Sequence, residues 1–285
     1  MSVPTFLIIG AMKSGTTALH EYLRVHPDVF MVQKELHFFW DQNYSNGLEW
    51  YESLFAEAGS AKAIGEASPD YTAWPLYEHV PERAWSALPD AKLIYILRNP
   101  IDRLVSQYRQ SAMMWGETRP IDEAVLDEKW FLSRSRYAMQ LERWLDQGYT
   151  RDRLLLLTNE DLRDHRQAVM TRVFDFVGVD ATFVPPNLET DVHVGTNLRR
   201  DRPTTEKLRN LGVFQVGRRL VPPGVRHALW DRVASQPLAR DLRALDLRPD
   251  TRRELIERLR PDLEKLRTYM DPTFDCWGLL GPKEP

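Results

Sequence analysis

Lys13, Ser14, Gly15, Thr16 and Thr17 close a stretch, LIIGAMKSGTT, in which an apolar run ends at Gly10 and two threonines lead into a helical pattern. That order predicts a strand, a tight loop and a helix N-terminus. Backbone N–H groups in such a loop converge on an anion, and the positive end of the helix dipole lies behind them. The fitting guest is a phosphate or a sulfate. A nucleotide-hydrolase loop reads G-x-x-x-x-G-K-[ST], with its lysine directly after the second glycine. Gly10 and Gly15 keep that separation, but Thr16 stands where the lysine belongs, and the lysine is Lys13 instead. No obvious Mg²⁺-binding carboxylate is paired with the loop. The pattern is a phosphate cradle without the ATP-type lysine.

The elements that must position these residues read as alternating strands and helices. Strands are expected over 5–9, 29–32, 63–67, 92–97 and 153–157. The run KLIYIL is continuously apolar, as suits a parallel strand covered on both faces. Helices are expected over 16–25, 50–58, 76–88 with a break or second start at Pro81, from Pro100 onward, 121–126, 135–145, 165–177, 204–210, 226–234 and 249–268. Residues 114–132 and 180–225 otherwise read as irregular. This alternation predicts an α/β architecture: a three-layer P-loop-like fold with a central, mostly parallel five-stranded sheet flanked by helices. Ligands of such sheets bind beyond the carboxyl ends of the strands. The loop at 10–17, GEASP at 65–69 and RNP at 98–100 all fall there. No repeat or low-complexity linker divides the chain. One domain over 1–285 is expected, with 1–177 as its core and 178–285 as a helical and loop part built over the site.

Composition excludes several classes. The 285 residues are 43% hydrophobic, enough for a sizeable core, and the net charge of −3 gives no support for a nucleic-acid partner. A single cysteine, Cys276, rules out an internal disulfide framework and points to a reducing compartment. Its expected role is that of an inert packed thiol. The N-terminal apolar run lacks a basic lead, and no segment approaches the length of a membrane span. These features together predict a cytoplasmic protein. The oligomeric state is not legible.

Several motifs, in order, resemble one family. GAMKSGTTALHEYLRVHPDVFMVQKELHFFWDQNYSNGLEWY, GEASPDYT, IYILRNPIDRLVSQYRQ, RSRYAMQLERWL and RLLLLTNEDL resemble sulfotransferases that use 3′-phosphoadenosine 5′-phosphosulfate (PAPS). The likeness is to the branch of heparan sulfate N- and 3-O-sulfotransferases and their bacterial relatives, over roughly residues 5–177, and the C-terminal LRPDTRRELIERLRPDLEKLRTYMDPTFDCW is similar too. The resemblance implies that Lys13, Ser14, Gly15, Thr16 and Thr17 hold the 5′-phosphosulfate. It implies that Arg98, at a strand end, and Ser106, eight residues on, hold the 3′-phosphate. Guanidinium pairing with phosphate and a neutral hydroxyl donor suit that task.

The implied reaction is in-line sulfuryl transfer to a hydroxyl, or less favourably an amine, of a small molecule, glycan or glycolipid, with PAP as the other product and no metal. Such transfer depends on positioning and charge stabilisation. Lys13 would neutralise charge on the leaving oxygen. Glu35 matches the family's catalytic glutamate and would be the general base, with His37 assisting it or positioning the acceptor. An extended KELHFF segment would point both side chains to one face. Phe38 and Phe39 read as packing. Tyr137 reads equally as a nucleotide neighbour or a core residue.

Two departures stand out. The heparan branch carries a lysine in an E-K-S-P motif, and here Ala67 occupies that place. That branch also closes a late loop with a disulfide, which one cysteine cannot form. HVGTNLRRDRPTTEKLRN stands in roughly that place, and Arg200 is its candidate cofactor ligand. Trp40, Tyr44, Trp50, Tyr71, Trp74 and Trp115 are candidates for an acceptor wall. The alternatives are a nucleotide kinase or NTPase, which Thr16 opposes, and a non-catalytic nucleotide-binding protein of the same fold, which the presence of Lys13, Glu35 and Arg98 opposes.

Overall fold

The computed structural model describes residues 3–189, 199–201, 235–237 and 245–281, with backbone only for the two short segments 199–201 and 235–237. Five parallel strands form the sheet: β1 (Phe6–Gly10), β2 (Val29–Met31), β3 (Ala63–Ala67), β4 (Lys92–Leu97) and β5 (Leu154–Thr158), in the order β2-β3-β1-β4-β5. Phe6 pairs with Gly65 on one side and Lys92 on the other, and Ile8 with Ala67 and Ile94. The expected fold class is therefore the observed one.

The helices are α1 (Thr16–Leu23), α2 (Asp41–Tyr44), α3 (Leu48–Ser53), α4 (Val80–Ala87), α5 (Pro100–Met114), α6 (Ile121–Ala124), α7 (Tyr137–Leu145), α8 (Asn159–Asp164), α9 (Arg166–Val177) and α10 (Pro249–Leu266). Strand alternation sorts the core into two faces. Leu7, Ile9, Leu93, Tyr95 and Leu97 pack with residues of α4, α5, α7 and α10. Phe6, Ile8, Ile94 and Ile96 pack with α1 and α9. This is the three-layer arrangement.

Local chemistry explains where the elements differ from expectation. Pro81 stands in the first turn of α4 rather than breaking a helix, because its fixed φ and missing N–H suit that position. The segment read as one helix over 50–58 divides into α3 and a single 3₁₀ turn at Ala56–Ala58. Helix α8 was not anticipated; Thr158 Oγ1 caps it by accepting from Asp161 N at 3.1 Å. The expected helices over 204–210 and 226–234 lie outside the described residues. Beyond residue 177, α10 is part of the core itself. Leu255, Leu259, Leu263 and Leu266 are fully buried. Each such side chain contributes roughly 1.5–3 kcal/mol.

Candidate active site

The loop between β1 and α1 bends through two left-handed residues, Lys13 (φ 70°) and Gly15 (φ 98°). Such turns aim successive N–H groups into one concavity. Glycine suits position 15 because its φ of 98° strains any side-chain-bearing residue, and a Cβ there would also push the Asn159 amide, 2.5 Å away, aside. Gly15 also stands at the N-cap of α1 and offers no side-chain oxygen, which leaves the first-turn N–H groups without a side-chain cap. Thr16 is buried and Thr17 half-buried. Ser14 is fully buried, and its Oγ closes no hydrogen bond within the protein. The Tyr137 phenol beside it is committed to the Arg98 carbonyl at 2.7 Å.

Strand β4 neighbours β1, so the turn after β4 arrives beside this loop. Arg98 Nη1 donates to the Lys13 carbonyl at 3.2 Å. Asn99 then caps α5, its Oδ1 accepting from Ile101 N at 3.0 Å, and Pro100 sits in the first turn. Arg98 also lines a cleft of about 270 Å³, with Asp102, Val105, Arg109 and Arg252. Ser106 is half-buried on α5, one residue beyond Val105. A larger cavity, about 580 Å³, runs along the edge strand β5 and contains none of these residues.

Glu35 and His37 reach the loop from the other flank. The segment carrying them is not extended: both residues are left-handed, with φ of 67° and 49°. A non-glycine residue held there stores on the order of 1–3 kcal/mol of strain, which surrounding contacts must offset. Here Glu35 N donates to the Ala67 carbonyl at 2.8 Å, and His37 N donates to Ser68 Oγ at 3.0 Å. The expectation of a shared face through strand alternation therefore fails. Charge coupling still brings Glu35 and His37 together, and Glu35 to Lys13. Phe38 and Phe39 are fully buried packing residues, as expected.

Burial raises the Glu35 carboxyl, but the hydrogen bond and charge of Lys34, with His37 and Lys13, outweigh it and hold the group below its ordinary value. Lys34 Nζ lies 2.5 Å from Glu35 Oε1. Burial lowers the His37 imidazole, against the pull of Asp70 and Glu35, so it is mostly neutral at pH 7. Its Nε2 is buried without a partner, and its ring stacks on Trp40 at 3.8 Å, with Tyr77 stacked on Trp40 in turn at 4.0 Å. Burial, then Arg98 and Lys34, lower the Lys13 ammonium, while Glu35 opposes the shift.

The sequence-predicted residues thus divide. Lys13, Arg98, Glu35 and His37 converge, and Ser14 to Thr17 build the cradle they face. Of Arg200 only the backbone is described, in a short strand, β6 (Arg199–Asp201), paired antiparallel with β7 (Ser235–Pro237); its side chain lies outside the described residues. Among the candidate wall aromatics, Tyr71 is buried and hydrogen-bonded to Glu66. Lys34 had no predicted role, and only its adjacency to Glu35 could have signalled one. Among the described residues no His, Cys, Asp and Glu side chains cluster in a metal-holding group.

The profile of the family described as "Sulfotransferase domain" matches residues 4–199, more than half of the chain. This chain belongs to the sulfotransferase domain family. Heparan sulfate glucosamine 3-O-sulfotransferase 3B1 of Mus musculus is 31% identical over 219 residues, 74% of this chain and 53% of that protein. Heparan sulfate glucosamine 3-O-sulfotransferase 6 of Homo sapiens is 32% identical over 213 residues, 72% of this chain and 59% of that protein. The chain thus spans between half and three fifths of these curated relatives. A crystal structure of a sulfotransferase from Alicyclobacillus acidocaldarius shares the fold, with a TM-score of 0.67 and 24% identity over 94% of this chain and 96% of that one. No described helix of this sulfotransferase domain is long and apolar enough to cross a membrane.

Proposed function

We propose that this chain transfers the sulfuryl group of PAPS to an acceptor hydroxyl, with Glu35 as general base. The observation that carries the reading is the convergence on Lys13, with Arg98 on one flank and Glu35 with Lys34 on the other. The residues present fit the nucleotide. The uncapped start of α1, the concave Lys13–Gly15 turn and the unpartnered Ser14 Oγ form a cradle for its 5′-phosphosulfate, with Thr16 and Thr17 beside it. Arg98 and Ser106 take the 3′-phosphate, and Arg200 is retained as a candidate ligand. When bound, PAPS supplies an activated sulfuryl group on a phosphate leaving group.

The chain's own residues do the rest. Lys13 sits where negative charge grows on the leaving side. Lys34 adds a second ammonium beside Glu35 and within electrostatic reach of Lys13, which supplies a positive charge that Ala67 does not. Glu35 is ionised at neutral pH, and with Oε1 held by Lys34 its Oε2 is left to accept the acceptor's proton. Neutral His37, stacked on Trp40, positions the acceptor and assists the base.

The relatives' names describe 3-O-sulfation of heparan sulfate glucosamine. For this chain the acceptor class is a hydroxyl of a small molecule, glycan or glycolipid, and the lone buried Cys276 fits residence in the cytoplasm. Residues 1–285 form one domain in this reading, with 178–285 partly built over the donor. Two measurements test it. PAP should raise the melting temperature while ATP with Mg²⁺ does not, by mass action on the native state. Labelled PAPS incubated with neutral sugars, phenols, glycolipids and heparan oligosaccharides should label one hydroxyl class. Stabilisation by ATP–Mg²⁺ alone would sink the proposal.

A further inference from the structure

Glu66 lies at the end of β3, fully buried, one residue before the position where the family motif loses its lysine. A buried carboxylate requires several donors, and this one has three hydroxyls. Ser68 Oγ donates to Oε1 at 2.8 Å, Tyr71 OH donates to Oε1 at 2.6 Å, and Tyr51 OH donates to Oε2. Each hydroxyl has a single proton. With the Ser68 and Tyr71 protons committed to Glu66, both oxygens face outward only as acceptors. What they accept is the backbone of the base-bearing loop: His37 N donates to Ser68 Oγ at 3.0 Å, and Phe39 N donates to Tyr71 OH at 3.5 Å. Tyr51 completes the clamp from the side, stacking on Phe38 at 4.1 Å.

We infer that Glu66 is a positioning residue for the transfer reaction: acting through Ser68 and Tyr71, it fixes the left-handed Glu35–His37 backbone and so aims the base. The chain of contacts runs from a carboxylate that touches no substrate to the amide of His37 itself and to that of Phe39, two residues further on. Among the described residues no other side chain accepts from the His37 and Phe39 N–H groups, while Asn43 Nδ2 donates to the Leu36 and His37 carbonyls at 2.9 and 3.2 Å and Arg83 Nη1 to the Phe39 carbonyl at 3.0 Å. The two left-handed residues, Glu35 and His37, have no glycine's freedom, so their conformation is imposed from outside: by this clamp on the N–H groups, by the Glu35 N to Ala67 O bond, and by Asn43 on the Leu36 and His37 carbonyls. The direction of the protons matters as much as the contacts. A group at position 66 that donates to Ser68 would turn that hydroxyl's proton toward the His37 N–H and break the link.

This inference rests on the reading of Glu35 as the base, and the test separates the two. The assay is release of labelled sulfate from PAPS into water, which needs no identified acceptor, alongside PAP affinity by calorimetry. Glu66→Gln and Ser68→Ala should each slow sulfate release about 10–100-fold, the scale on which a small misplacement of a reacting group acts. PAP affinity should stay within about twofold, because the clamp touches no part of the Lys13–Thr17 loop. Amide exchange at His37, measured on the same variants, should quicken at least about tenfold in Ser68→Ala. If Glu35→Gln slows release while Ser68→Ala and Glu66→Gln leave it within twofold, the positioning role falls and the base assignment stands. If Glu35→Gln itself has no effect, the base assignment falls. Unchanged exchange at His37 in a folded Ser68→Ala variant also overturns the clamp. Should Glu66→Gln fail to fold, Ser68→Ala and Tyr71→Phe carry the same comparison.

Discussion

Lys34 Nζ sits 2.5 Å from Glu35 Oε1, so the candidate base is paired with a cation one residue before it in the chain. The Glu35 side chain is half exposed and Lys34 is mostly covered, so the pair stands at the mouth of the site rather than in the core. Two things follow from one contact. The carboxylate is held in its ionised form, and its basicity is reduced. A base of this kind works at neutral pH only because one oxygen is left open.

The pH profile tests that balance. The Glu35 carboxyl lies below the ordinary value of 4.5, so turnover should persist down to acid pH and be lost as pH falls through the depressed pKa. Lys34→Ala removes the main lowering influence and leaves burial, which raises the group. The acid limb of sulfate release should therefore move to higher pH in Lys34→Ala. A limb that stays in place would show that Glu35 is not the group titrating.

Replacing the base should separate binding from chemistry. Glu35→Gln keeps the shape and should leave PAP affinity near normal, while turnover falls by about 10²–10⁴. Near-normal turnover would move the assignment to His37, whose neutral imidazole is the next candidate.

Arg98 has its guanidinium on the Lys13 carbonyl and lines the cleft that also holds Arg109 and Arg252, and in the proposed reading it takes the 3′-phosphate of the donor. Loss of a charge-assisted pair costs about 1.5–3 kcal/mol. Arg98→Ala should therefore weaken PAP binding by about 10–100-fold and weaken adenosine 5′-phosphate far less, since that ligand lacks the 3′-phosphate. Calorimetry with both ligands gives the answer, and an equal loss for both would detach Arg98 from the 3′-phosphate.

Asp262 on α10 accepts from the Ala138 and Met139 amides at 3.1 and 2.8 Å, at the start of α7. Burial pushes its carboxyl up to about 6, against an ordinary 3.8. Between those values the folded chain holds a proton that the unfolded chain has released. Stability should therefore fall as pH rises through that window, by about 2–3 kcal/mol for this group. Asp262→Asn cannot ionise and keeps one acceptor, so the stability difference between variant and wild type should shift in the variant's favour across the same window. Denaturant unfolding at pH 4.5 and 7 measures it, and a pH-independent difference would rule out titration of Asp262 there.

Much of this was legible in the chain. Alternating apolar runs carry their own periodicity, so all five strands of the sheet and the strand–loop–helix at 6–23 could be read locally. The Gly10 to Gly15 spacing and the Arg98 to Ser106 spacing are likewise short-range patterns. Glu35, as the matched glutamate, was also visible. What sequence alone determined, then, were the elements and the chemical types available at their ends, because period, turn residues and anion-loop spacing are properties of neighbouring residues.

The tertiary structure decided which of these meet. Strand order sets β1 between β3 and β4, and only that order brings Arg98 to the Lys13 carbonyl across 85 positions of sequence. The extended reading of KELHFF failed because its conformation is not a local preference. Left-handed Glu35 and His37 are held by Ala67 and Ser68, the end of β3 and the residue after it, about thirty positions away in sequence. Glu66 looked like one letter of a motif until burial surrounded it with three hydroxyls. Desolvation and long-range hydrogen bonding arise only when separate elements close on one another, and they set both the aim and the charge of the site.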